Sequence, residues 1–125
     1  MKRSAPASAA VLVLAVVCIA AAALSVRSLR ALADDVVYDN TNHYLPCEKL
    51  PVVSEALMVV EEHQAVVDAI LSVNPGRVGL EVDTDCCPGR ADILMWYGSH
   101  EDRMAIEEII NGETFFGVPC NLRNI

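Results

Sequence analysis

PGRVGLEVDTDCCPGRADILMWY, residues Pro75–Tyr97, decides the architecture. Two apolar runs, each introduced by Pro-Gly-Arg, flank a short loop that carries Cys86 and Cys87. In the first run Val78, Leu80, Val82 and Thr84 alternate with Gly79, Glu81 and Asp83, which is the pattern of a half-buried strand. In the second, Ile93, Met95 and Tyr97 fall on one side and Leu94 and Trp96 on the other, so both faces are apolar. The stretch predicts a β-hairpin with the cysteine pair near its tip. A strand apolar on both faces is central or doubly covered. With a single helix layer, Leu94 and Trp96 instead form an exposed patch that marks an interface.

Moving toward the N-terminus, Asn74-Pro75-Gly76 stops a helix expected from Val52 or Ser54 to Val73. Its valines, with Leu57, Ile70 and Leu71, share one broad face opposite Glu55, Glu61, Glu62 and Asp68, which suits a helix laid on a sheet. His63 falls inside that face, where a hydrogen-bonded core or edge residue is expected. Before the helix, Val36-Val37-Tyr38 is read as an opening edge strand, with a linker as the alternative. Moving toward the C-terminus, Ser99 and Asp102 form a capping pair for a helix carrying Met104, Ile106, Ile109 and Ile110 inward, and Asn111-Gly112 ends it. Thr114–Val118 is the expected last strand, with Pro119, Cys120 and a short tail after it.

The expected fold class is therefore α+β: a small two-layer sandwich of order (β)αββαβ, preceded by an N-terminal transmembrane or signal helix. With the opening strand it is the ferredoxin-like split βαβ arrangement; without it, an αββαβ module like those of ring-building membrane assemblies.

The chain of 125 residues divides into an N-terminal segment, 1–33, and one domain, 34–125. Residues 34–125 hold 17 acids against five bases, a net −12. Such a surface repels phosphate backbones, and nucleic acid is excluded as a partner. Residues 1–33 hold four bases and no acid. Within them Ala9–Val26 is an uncharged run of 18 residues, spanning about 27 Å as a helix against about 30 Å of hydrocarbon. This predicts an anchor in a lipid bilayer with the C-terminal domain outside the cytoplasm. The alternative is a secretory signal cleaved after Ala33, since Ala31-Leu32-Ala33 supplies the small-residue motif.

Outside the cytoplasm an even set of cysteines predicts disulfides. Cys47, Cys86, Cys87 and Cys120 are the candidates, with one bond expected from each of Cys86 and Cys87 to Cys47 and Cys120. A metal-binding or thiol-redox module centred on Cys86-Cys87 is the competing function, with Asp83, Asp85, Cys86 and Cys87 as ligand candidates and His43, His63 or His100 able to approach. No pair has zinc-motif spacing, and no C-x-x-C is present. Ser99, His100 and Asp102 have hydrolase residue types but crowd one helical turn, where capping accounts for Ser99 and Asp102. No catalytic constellation and no cofactor motif is read. The leading expectation is a membrane-tethered, non-enzymatic domain acting by contact with another protein or itself, with Leu94 and Trp96 as interface candidates.

Overall fold

The computed structural model describes residues 7–125, with side chains described for 10–19 and from Ser28 onward. Helix α1 spans Ala7–Val36, α2 Val53–Glu62, α3 Gln64–Leu71 and α4 His100–Ile110; strands are β1 Gly79–Cys87, β2 Arg90–Tyr97, β3 Thr114–Phe115 and β4 Val118–Asn124. The strands form one mixed four-stranded sheet in the order β1-β2-β4-β3. β2 is antiparallel to β1 and parallel to β4, the parallel step being made through α4.

Registered partners share a face. Ile93 and Met95 thus lie with Val82 and Leu80 on β1, and with Cys120 and Leu122 on β4. This face buries Ile93, Met95, Tyr97 and Leu122 against Ala56, Val67, Ile70 and Ile106 of the helices, in one core. The fold is a small α+β arrangement with one helix layer on one face of the sheet.

Three expectations need correction. The opening strand at Val36-Val37-Tyr38 does not form; α1 continues through Val36, and the chain turns at Asp39, whose φ is +54°. The ferredoxin-like order is therefore absent. The helix over 52–73 is broken at His63, whose backbone leaves the helical region (φ −121°, ψ 37°). His63 Nδ1 donates to the Val59 carbonyl at 2.8 Å, and its ring stacks on Phe116 at a centroid distance of 3.5 Å. The ring is thus held at the core's edge. Finally, the last strand is a hairpin. Phe116 and Gly117, at φ +49° and +91°, make the turn between β3 and β4, and the expected tail becomes a strand paired along β2.

Among the described residues no helix is long and apolar enough to cross a membrane. The expected anchor, Ala9–Val26, includes positions 9 and 20–26, whose side chains lie outside the described residues.

Candidate functional site

One helix layer leaves the sheet's other face without a helix. Its rows follow from the register: Asp83 beside Asp92, then Glu81–Leu94–Asn121, then Gly79–Trp96–Arg123. Leu94 and Trp96 are half-buried, flanked by exposed Glu81 and exposed Arg123. The indole lies flat on Gly79. A Cβ built there would fall 1.9 Å from Trp96 Cε2, so position 79 admits no side chain while the ring stays in place. The apolar end of the face is thus a fixed aromatic platform between an acid and a base.

The other end is polar and is built by a bulge. Between the pairs Asp83↔Asp92 and Cys87↔Arg90 the chain inserts two extra residues on β1. Such irregularities redirect side chains. Here Asp83 Oδ1 accepts from the Asp85 backbone N–H at 2.9 Å, and the Cys86 thiol lies 3.4 Å from the Asp83 carbonyl. One ligand-type atom from each of Asp83, Cys86 and Asp92 then falls within 4.8 Å of the others.

Asp92 is 1% exposed. Its Oδ2 receives His43 Nε2 at 2.7 Å and Asn121 Nδ2 at 2.9 Å. His43 Nδ1 accepts from the Leu45 backbone N–H at 2.9 Å, so the ring carries its proton on Nε2 and donates it to Asp92. Asp92 Oδ1 has no partner, the one such buried side-chain polar atom among the described residues. An orphaned buried acceptor costs about 1–3 kcal/mol, and more when charged. That cost is the clearest departure from a plain structural role on this face.

The cysteines sort differently from expectation. Cys47 and Cys87 form a disulfide with Cα atoms 5.7 Å apart. The second expected bridge is absent: Cys86 and Cys120 are free. Cys120 pairs with Ile93 on the helix-facing side, whereas Cys86 joins Asp92 on the other, so the sheet separates them. Cys87, spent in the disulfide, is no longer a metal candidate, and Asp85 is not in the ligand cluster. Of the histidines, His43 alone borders the cluster, through Asp92. His100 Nδ1 meets Asp39 Oδ1 at 2.6 Å, and His63 sits at the helix break. Asp92 escaped the sequence reading, although an acid inside an otherwise apolar strand was the available signal.

Burial pushes the Cys120 thiol up to about 12. Partial burial, then the charges of Asp92 and Asp83, hold Cys86 above its ordinary value. The two thiols differ above all in access. In the native chain, alkylation mapped by peptide mass is expected at Cys86 roughly tenfold or more faster than at Cys120, with Cys120 reacting only after denaturation. Equal rates would show that β4 opens, or that Cys120 is not on the core side.

A cleft of about 840 Å³ lies between α1, the 40–44 segment and α4, lined in part by Leu32, Asp35, Asn40 and Arg103. Arg103 is already paired with Asp35, Asp39 and Glu107, which leaves it no free charge for a ligand. No family model, no curated protein and no solved structure matches the chain.

Proposed function

We propose that this chain is a membrane-tethered, non-enzymatic domain that holds another protein against the helix-free face of its sheet, at the end that carries Leu94 and Trp96. The carrying observation is the half-buried Leu94 and Trp96 on a face that no helix covers. Aromatic anchors of this kind, framed by polar groups, are what protein contacts concentrate on.

Charge selects among occupants. Two copies of a domain with 17 acids and five bases repel one another, which disfavours self-association. The same excess steers a partner whose contact surface is apolar with a basic rim, and Glu81 beside Leu94 supplies a local acid for it. The tether is the uncharged run Ala9–Val26. Val11, Leu12, Val13, Leu14 and Val16 on α1 are exposed, in keeping with apolar contacts made outside the chain. An uncleaved segment fits the packing near its far end, where Arg30 of α1 lies 5.4 Å from the Tyr44 ring centroid.

The test is Leu94→Ala with Trp96→Ala in the full chain. Complex formation is expected to weaken roughly 30-fold or more, equivalent to about 2 kcal/mol, while circular dichroism and the melting profile stay close to the parent. If the double variant unfolds, both residues are core and the contact face is lost as an idea.

A further inference from the structure

The bulge that lifts Cys86 beside Asp83 and Asp92 has no role in the contact face. We infer that these three residues form a binding site for a divalent transition metal of borderline softness, of the zinc or cobalt kind.

Two independent observations meet here. One is the donor set: a thiol sulfur and two carboxylate oxygens, from three residues, all within 4.8 Å of one another. The other is Asp92 Oδ1, buried with its residue at 1% exposure and left without a hydrogen-bond partner. The Oδ2 atom of the same carboxylate is fully engaged by His43 and Asn121. Asp92 is therefore oriented from behind, with one oxygen committed and one held free, as ligating carboxylates are when outer-shell donors fix them.

Donor chemistry sets the metal class. A sulfur ligand disfavours magnesium and calcium, which require oxygen sets, and selects metals that accept both thiolate and carboxylate. Metal–sulfur and metal–oxygen bonds of about 2.3 and 2.0–2.2 Å in a tetrahedron place ligand atoms about 3.5 Å apart. A contraction of about 1 Å from the present cluster is enough. Cys86 is exposed on the bulge, and Asp83 holds a single backbone N–H through Oδ1, so both are placed to move toward a fixed Asp92. Three protein ligands leave a fourth position open to water or to a donor from a partner.

The step is an acid–base exchange without redox change. The metal–sulfur bond forms as the Cys86 S–H bond breaks, and the proton leaves to solvent. The Cys47–Cys87 disulfide stays intact.

Cobalt(II) titration of the full chain tests this. A single equivalent is expected to produce a thiolate-to-cobalt charge-transfer band that zinc(II) displaces. Cys86→Ser is expected to abolish the band, and Asp83→Asn to weaken binding at least tenfold. Asp92→Asn should do the same, but it also touches His43 and Asn121. Asp83→Asn therefore carries the test if the Asp92 variant fails to fold. Absence of the band in the parent chain overturns the site. So does a band that survives Cys86→Ser, which would assign it to Cys18 or Cys120, or unchanged affinity in Asp83→Asn.

Discussion

Arg103→Ala is expected to destabilise the domain by about 3–5 kcal/mol, the range for breaking a buried ion pair from one side. Arg103 is 5% exposed on α4. Its guanidinium meets Asp39 and Glu107, each at 2.9 Å, and Asp35 at 2.5 Å, and it also donates to the Thr41 hydroxyl. Around it, Tyr97 donates its hydroxyl to the Asp39 carbonyl, and Asn124 Nδ2 reaches Asp39 Oδ2 at 2.9 Å. One side chain thus fastens the end of α1 and the turn at Asp39 to α4, beside β2 and β4. Truncation leaves Asp39, itself partly buried, without its guanidinium partner. For a domain of this size the loss corresponds to a fall in Tm of roughly 15–30 °C, read by calorimetry. Arg103→Lys should recover only part of it, since an ammonium cannot serve the three carboxylates as a planar fork does.

The pH dependence has a definite sign. Burial alone would raise the Asp39 carboxyl, but hydrogen bonds from His100, Asn124 and Arg103 outweigh it and hold the carboxyl below its ordinary value. A depressed folded-state pKa contributes stability that is present above the unfolded value and is lost as pH falls through the folded one. The difference between parent and Arg103→Ala should therefore narrow in acid, below the usual carboxylate range. Arg103 itself is raised: burial lowers it, but the hydrogen bonds it donates to Asp39, Glu107 and Asp35 win. Its own contribution is present below the unfolded arginine value and persists across all working pH. A gap that widens in acid would mean that Asp39 is not the principal partner.

The second large effect is removal of the Cys47–Cys87 bond. Its partners are 40 residues apart in sequence, and closing a loop of that length removes about 4 kcal/mol of chain entropy from the unfolded state. Cys47→Ser with Cys87→Ser should lower the urea midpoint accordingly, with little change in the native spectrum. The native geometry does not rest on the sulfurs alone. Ala91 donates to the Pro51 carbonyl at 3.0 Å, and Arg90 Nη1 reaches the Leu50 carbonyl at 2.9 Å, so the 50–53 segment stays against the hairpin tip. A loss under about 1 kcal/mol would indicate that the unfolded chain already keeps these ends together.

Local signals carried much of the fold. The hairpin over Pro75–Tyr97 and the cap at Ser99, whose hydroxyl accepts the Asp102 N–H at 3.1 Å, follow from alternation and capping chemistry. So does the helix end at Asn111, at φ +48°. What escaped depends on contacts made across the chain. The helix wheel over 52–73 is continuous in apolarity, and the break at His63 is accompanied by its stacking on Phe116, more than 50 residues away in sequence. In β4, Val118, Cys120 and Leu122 do alternate, but Pro119, Asn121 and Arg123 between them read as a tail until β2 is there to pair with. The site followed the same rule. Leu94 and Trp96 were legible as a second apolar side, and Cys86 and Asp83 as neighbours. Asp92 showed only as an acid inside an apolar strand, because its meaning comes from His43 and Asn121 and from a bulge whose position depends on pairing.

Site-specific photocross-linking tests most directly whether the Leu94–Trp96 end of the helix-free sheet face is the contact surface. A benzophenone side chain at Trp96, in the full chain in its native cells, should give an adduct with a different protein. The adduct should weaken as salt rises, because screening shortens to about 3 Å at 1 M. The same probe at Glu55, exposed on α2, should give none. Equal adducts from both positions, or adducts with a second copy of this chain alone, would show that this face is not the surface that holds a partner protein.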